Sequence, residues 1–441
     1  MSSRSPRRTS LAVAVAITAL MSASPAMAGS GHLLHGVGPV NSSLGGAGTG
    51  FPTDVMSALH ANPALLTELQ KIEVVLSTEI FVDDLSATTQ KAGEAPHQTF
   101  SDGEPGVLPS FAASFRPGNG KLTLGTALLA VAGFRTNWPT DPASLLLAPQ
   151  PNGFGDLHTE LGVAKIPISL AYRATDKFSV GASFITYQSR LIINPLPVVK
   201  PDCVGQYGSG GTCYRPATKI MTTEYAFAVQ LGVYYKLNDK LGLGASYSSK
   251  QDYNPFKWST THPNPLITSG PQAFSTRWDI EIDLDQPPSF SFGAGYRAND
   301  KLLIGADVKW VGYADSTGIG GTGGIGVDGD LISIGWRDIW IGMLGAQYQA
   351  TEKLQLRAGF NFSQTPIREE VTLNSGGTPA VFEQHYTLGL GYTVTPNFRL
   401  ELAGYYTPEN SVTGPFTGVP GATVTYTNSI LSGLFGFSFR F

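Results

Sequence analysis

The sequence predicts an all-β chain: a 14-stranded antiparallel transmembrane β-barrel with an N-terminal plug, or hatch, in its lumen. Three observations predict it. Polarity alternates with period two along many segments, six short turns alternate with seven long loops, and the chain opens with an export signal. Composition narrows the alternatives. Only 14% of the 441 residues are charged, 10% are aromatic and 52 are glycine. A disordered chain carries more charge and fewer aromatics. A nucleic-acid binder is usually basic, whereas here 29 Lys and Arg face 33 Asp and Glu. After residue 28 there is no apolar run of the length a membrane helix needs, about 20 residues.

The N-terminus carries a basic stretch (Arg4, Arg7, Arg8), an apolar core from Leu11 to Met21, and the small-x-small site Ala26-Met27-Ala28. This reads as a secretory signal peptide over residues 1–28, cleaved after Ala28. The apolar core is too short for a retained anchor. Two cysteines remain, Cys203 and Cys213. In an exported chain such a pair is most simply a disulfide, worth roughly 2–3 kcal/mol for a loop this small. No His or further Cys stands near them at ligand spacing, so neither a metal nor a cofactor is expected.

The turns organise the rest. Ala174-Thr175-Asp176-Lys177, Leu237-Asn238-Asp239-Lys240, Ala298-Asn299-Asp300-Lys301 and Ala350-Thr351-Glu352-Lys353 share one pattern. Arg116–Lys121 and Val394–Asn397 complete six turns, rich in residues that tolerate hairpin backbone angles. Their flanks alternate. Leu302, Ile304, Ala306, Val308 and Trp310 oppose Leu303, Gly305, Asp307 and Lys309; Phe435, Phe437, Phe439 and Phe441 oppose Gly436, Ser438 and Arg440. Long Pro/Gly/Asn-rich stretches at 83–107, 134–159, 191–218, 253–273, 315–334, 365–381 and 409–422 separate the hairpins, with the eighth strand read over 274–298. Short turns on one side and long loops on the other favour a transmembrane barrel over a soluble sandwich. The barrel then occupies 71–441, its apolar face toward lipid. Residues 29–70 precede it. They are Gly-rich at Gly45, Gly46, Gly48 and Gly50, then helical in pattern from Asp54 to His60. Asn62 is a helix cap with Pro63 at the first helical position.

Between Gly36 and Phe441 the chain resembles the FadL-type outer-membrane transporters of long-chain fatty acids and aromatic hydrocarbons. The residues that carry the likeness are Gly45-Gly46-Ala47-Gly48, Asp54, Asn62-Pro63-Ala64, Trp336-Arg337-Asp338-Ile339-Trp340, Leu356–Phe360 and Ser363-Gln364-Thr365-Pro366-Ile367. The resemblance implies a 14-stranded barrel with a hatch, in the bacterial outer membrane among lipid and lipopolysaccharide, with hydrophobic small molecules as its partners and no nucleic acid. It implies a monomeric passive channel, not an enzyme. Cargo is captured among extracellular loops, passed to a lumen pocket near the hatch N-terminus, and released sideways past a kinked third strand.

The resemblance also supplies site candidates. Arg337 is either a carboxylate-headgroup contact, suited by its two-pronged guanidinium, or a salt bridge to Asp338. Arg190 is a looser basic match or a loop-base arginine facing water. Leu33 and Leu34 are pocket walls, with His32 and His35 beside them expected in solvent. Gly45, Gly46, Asn62, Pro63 and Ala64 serve hatch structure and gating. Lys309 and Arg357 face the lumen by alternation, as a charged network or as ligand contacts. In the third strand the alternation dissolves over 127–132, the place for a kink. Leu145, Leu146, Leu147, Phe154, Phe256, Trp258, Leu266 and Ile267 are the apolar loop residues a capture groove needs. Gly318–Gly323 spells a dinucleotide fingerprint but has no helix after it. Two other readings stay open: a lipid-processing barrel enzyme, for which no clear Ser/His pair is visible, and an adhesin.

Overall fold

The computed structural model describes residues 31–441 except 119, 208 and 209, so the signal peptide read over 1–28 lies outside the described residues. Fourteen strands form the wall: β1 Ile72–Gln90, β2 Gly106–Phe115, β3 Leu122–Trp138, β4 Leu157–Arg173, β5 Phe178–Asn194, β6 Thr222–Lys236, β7 Leu241–Ser248, β8 Ser289–Arg297, β9 Leu302–Val311, β10 Ile339–Gln349, β11 Leu354–Ser363, β12 Gln384–Thr395, β13 Phe398–Pro415 and β14 Thr423–Arg440. Each pairs antiparallel with its neighbour, and β1 pairs with both β2 and β14, which closes the sheet. Closure removes the unpaired edge that a bilayer would not tolerate.

Alternation sets the two faces. In β9, Ile304 and Val308 are exposed while Gly305 and Asp307 between them are buried. Outward side chains such as Ile168 and Leu388 are more than two-thirds exposed to the surroundings of the barrel, as a lipid-facing surface requires. The repeated turn pattern has a local cause. Asn238 Oδ1 accepts the Lys240 and Leu241 amides at 2.9 Å, and Asn299 Oδ1 accepts those of Lys301 and Leu302 at 2.9 and 3.0 Å. Thr175 and Thr351 do the same with their hydroxyls.

Four strand boundaries differ clearly from expectation: β3 runs on to Trp138 and β13 to Pro415, into stretches read as the loops 134–159 and 409–422, and β1 and β8 differ as follows. β1 runs on to Gln90, past the expected end at residue 82, because its upper half keeps its ladder with β14. The expected strand over 274–298 is two elements. Arg277–Ile282 pairs with Phe256–Thr261 as a separate outer hairpin, and β8 starts only at Ser289. Pro287 and Pro288 lie between them and have no N–H to give a ladder.

The hatch fills the lumen. It comprises α1 (Gly38–Ser43), α2 (Val55–Ala61) and a 3-10 turn (Pro63–Glu68). Asp54 caps α2, accepting the Ser57 amide at 2.7 Å, and Asn62 caps the 3-10 turn through the Ala64 amide at 3.1 Å. Inward-facing glycines let the hatch backbone lie directly on the wall. A Cβ on Gly345 would meet Leu44, one on Gly181 would meet Pro63 and Ala64, and one on Gly305 would meet the Phe51 ring. The absence of side chains on this inner face is therefore a fit to the hatch, the structural content of the Gly-rich alternation.

Candidate functional site

Polar anchors hold the hatch to the wall. Asp307 Oδ2 of β9 accepts the Gly48 and Thr49 amides at 2.8 and 2.7 Å. Asn62 Nδ2 donates to Thr49 O and to Val233 O of β6, both at 2.9 Å. Asn361 Nδ2 donates to Gly45 O at 3.1 Å. Gly45 and Gly46 have positive φ, +65° and +85°, which non-glycine residues rarely adopt. A Cβ on Gly46 would also run into the His35 carbonyl. Arg116, Arg173 and Lys236 clamp the 3-10 turn: the arginines donate to the Thr67 carbonyl, and Glu68 lies 3.0 Å from both Arg173 and Lys236.

β3 departs from its neighbours where the alternation dissolves. It pairs with β2 only over Leu124–Leu128, opposite Phe111–Phe115. Against β4 the register shifts between Ala130 and Ala132. Pro109 of β2 and Pro167 of β4 flank this stretch, each without a donor to offer. The wall rejoins above, where the Asp102 amide donates to Asn137 O at 2.8 Å. From inside, the hatch supplies partners: Leu34 N–H donates to Val131 O at 2.9 Å, and Gly133 N–H donates to His32 O at 2.8 Å. The kinked strand and the hatch N-terminal end therefore form one hydrogen-bonded unit.

Beside that unit lies an inner cavity of about 80 Å³, lined by Leu33, Leu34, His60, Lys165, Gln230 and Lys309 among others. Lys165 Nζ donates to Leu59 O, His60 O and Gln230 Oε1 at 3.0, 3.1 and 2.8 Å. Its charge thus sits on the exposed carbonyls at the α2 C-terminus, where a cation is favoured. Among the described residues no carboxylate pairs with Lys165 or Lys309. Burial first, then the neighbouring Lys165 and Lys309, push the His60 imidazole well below its ordinary pKa, so His60 is neutral. The cavity therefore holds two lysine amino groups with no acidic partner among the described residues.

A second, larger cavity of about 320 Å³ opens among the extracellular loops. Its walls are mainly apolar, with Phe134, Leu146, Phe154, Leu157, Leu284 and Leu373 among them. Between the cavities stands an aromatic group of His32, Tyr313 and Trp336, with ring centroids 5.2–5.8 Å apart. His32 Nε2 meets Gln286 Oε1, on the inner cavity, while Trp336 Nε1–H donates to Ser375 Oγ at 3.2 Å, next to the outer one.

The structure sorts the expected residues. Leu33 and Leu34 line the inner cavity, as does Lys309. His32 and His35 are buried rather than solvated, 1% and 5% exposed, because the N-terminal end pairs with β3 instead of trailing into water. Burial lowers both to about 4. Arg337 lines neither cavity. It precedes β10 and is exposed, with its guanidinium on Thr365 O at 3.2 Å. Nor is Asp338 its partner, since Asp338 Oδ1 accepts the Ala314 amide at 2.8 Å. Arg190 shares the outward register of Phe184 on β5, whereas Tyr187 and Leu191 point to the cavities. Arg357 belongs to a buried ion pair with Glu401 at 2.8 Å. Of the apolar loop residues, Leu146 and Phe154 line the outer cavity, Phe256 and Trp258 are core of the outer hairpin, and Leu266 is exposed. Cys203 and Cys213 are bonded, joining a short hairpin of Asp202–Val204 with Thr212–Tyr214. Lys165 was not among the expected residues; its signal was a cation in the middle of its strand, between Ala164 and Ile166, with the strand's other charges, Glu160 and Arg173, toward its ends.

The family model of the outer membrane protein transport proteins (OMPP1/FadL/TodX) matches residues 28–428. Outer membrane protein P1 of Haemophilus influenzae is 22% identical over 394 residues, 82% of each chain. Among solved structures, the P. putida toluene transporter TodX superposes with a TM-score of 0.71 at 19% identity, covering 92% of this chain and 99% of that one. A Pseudomonas aeruginosa FadL homologue gives 0.69 at 18%, covering 92% and 98%. The hatch-filled 14-stranded barrel and the match over nearly the whole chain lead to one conclusion: this chain belongs to the OMPP1/FadL/TodX family of outer-membrane transport proteins, channels for hydrophobic compounds rather than enzymes.

Proposed function

We propose that this channel takes up long-chain fatty acids passively, with Lys165 and Lys309 receiving the carboxylate. The observation that carries this reading is the pair of inner-cavity lysines with no acidic partner among the described residues. A buried cation lacking a counter-charge is costly, and an incoming carboxylate supplies one. A charge-assisted hydrogen bond contributes about 1.5–3 kcal/mol, while apolar walls contribute roughly 25 cal/mol per Å² of cargo surface removed from water. A neutral hydrocarbon uses only the second term.

In this reading the outer groove captures the cargo. Displacement of the hatch N-terminal end from β3 opens the way inward, and the unpaired stretch between β2 and β3 is the lateral exit into the membrane. Gly45, Gly46, Asn62, Pro63 and Ala64 keep the rest of the hatch in place while that end moves. The test is growth of a strain lacking the gene on oleate and on toluene. Loss on oleate alone supports the reading. Loss on toluene alone would favour the aromatic-hydrocarbon alternative.

A further inference from the structure

A band of buried polar side chains crosses four adjacent strands on the side of the lumen where α1 lies. Asn361 of β11 stands opposite His385 of β12. The register that pairs Thr387 with Tyr405 brings His385 level with Thr407 of β13. Asn428 of β14 pairs with Asn410, just past the place where β13 slips register between Thr407 and Asn410. Ser42 belongs to α1, which packs on these strands. The Ser42 carbonyl meets the His35 ring at 3.3 Å, and that ring stacks on His385 with centroids 4.7 Å apart. Ser42, Asn361, His385, Thr407 and Asn428 are all 0–1% exposed. Seven of their polar atoms have no hydrogen-bond partner among the described residues: Ser42 Oγ, Asn361 Oδ1, both His385 ring nitrogens, Thr407 Oγ1, and Asn428 Nδ2 and Oδ1.

Buried polar atoms in folded proteins are nearly always paired, so seven in one band call for a ligand. The surroundings close the band off. On the extracellular side Asn410 Nδ2 donates to Val381 O at 2.7 Å, and Val381 and Phe382 are buried. On the hatch side Thr387 Oγ1 donates to Ser43 O at 3.0 Å, and Asn361 Nδ2 donates to Gly45 O at 3.1 Å. Glu79, the acid reached through Tyr405, is occupied: it accepts from Tyr405 Oη and Ser432 Oγ at 2.7 and 2.9 Å. The unpaired set therefore consists of amide, hydroxyl and imidazole groups, donors and acceptors mixed, with no carboxylate. A small neutral ligand that both donates and accepts matches it. An apolar chain would leave every one of these atoms unsatisfied.

We propose that this band binds a cluster of ordered water molecules, sealed between α1 and the β11–β14 wall, which joins hatch to wall where direct contacts are missing. The register shift in β13 marks the spot, since bulges gather where a strand is adapted to a site. The lumen is then two-sided. The lysine cavity lies toward β4 and β9, and the hydrated sector toward β11–β14 excludes apolar tails. Water exchanges partners as α1 shifts, so the hatch keeps a polar seat that direct hydrogen bonds would lock. The inference holds whichever hydrophobic cargo the channel carries.

The experiment is a crystal structure of the full-length protein at a resolution that shows bound water, with melting measured for Thr407→Val and Asn428→Leu. The expected density holds about two to four waters, each within hydrogen-bond distance of at least two of the unpaired atoms. Each variant should melt about 1–3 °C earlier, because it strips partners from the bound water. Side chains closed directly on one another, with no density between them, would overturn the proposal. So would variants that melt at the same temperature or later, the result expected if the polar atoms have no partner to lose. A strong peak about 2.0–2.1 Å from the His35 and His385 nitrogens would be a metal ion and would overturn it as well. If Asn428→Leu fails to fold, the near-isosteric Thr407→Val carries the comparison, and the density of the unmodified protein needs no variant.

Discussion

Leu34 and Val131 are joined by a main-chain hydrogen bond of 2.9 Å, so the mobile-end candidate of the hatch is stitched to a stretch of β3 that has left β2. Inner pocket wall and barrel-wall irregularity are thereby one structure. The same residues 32–34 that occupy backbone groups of Val131 and Gly133 also wall the inner cavity through Leu33 and Leu34.

Gly46 tests how tightly the hatch turn is specified. Its φ of +85° and its contact with the His35 carbonyl leave no room for a side chain. Gly46→Ala is expected to cost of order 1–3 kcal/mol, confined to the hatch. Hydrogen exchange should accelerate over residues 35–48 while the barrel strands keep their protection. Unchanged exchange in that segment would count against the assignment.

Asn62 bridges hatch and wall through Thr49 and Val233 and caps the following turn. Asn62→Ala removes the cap and both donated bonds. The loss should be about 2–3 kcal/mol of hatch docking, read as proteolytic cleavage within residues 45–68 of an otherwise intact barrel. Asn62→Asp retains the cap oxygen but not the donor and should give an intermediate rate.

The N-terminal end should be pH-sensitive. His32 and His35 are lowered to about 4 by burial, against about 6.5 when free. Both are neutral when docked, so docking is at full strength above pH 6.5 and weakens as protons bind the released form. Between pH 7 and pH 5 each histidine should cost docking roughly 2 kcal/mol. Exchange of the Leu34 and Gly133 amides should therefore rise on acidification, and His32→Gln with His35→Gln should flatten the profile. A wild-type profile already flat from pH 7 to pH 5 would reject the mechanism.

Arg337→Ala should alter neither acid nor hydrocarbon binding, since the side chain is exposed and meets only the Thr365 carbonyl. Its melting should move by no more than the equivalent of about 0.5 kcal/mol, as for ordinary surface positions. Binding titrations with oleate and toluene would detect any role it has.

The legible parts of this molecule were those set by local rules. Period-two alternation and turn chemistry located the fourteen strands, and Asn62 announced its cap, whereas the capping role of Asp54 came only with the structure. What escaped depended on distant segments meeting. Lys165 on β4 and Lys309 on β9 share a cavity only once the barrel closes around the hatch. Lys309 was legible as inward-facing, but the partner that gives it meaning was not. Arg337 drew attention through its Trp-Arg-Asp-Ile-Trp setting, yet the chain is still outside the regular strand there, so alternation says nothing of its direction. The two histidines looked like solvated terminal residues because burial came from pairing with β3, more than ninety residues away.

The central claim is that unpaired inner lysines select a carboxylate. The most direct measurement is the affinity of oleic acid and of its methyl ester for purified wild-type protein and for Lys165→Met/Lys309→Met, with melting followed in parallel. The account predicts that the double variant loses about tenfold to a hundredfold in acid affinity, keeps its ester affinity, and melts no earlier than wild type. Equal acid affinity in both proteins, or equal losses for acid and ester, would contradict it.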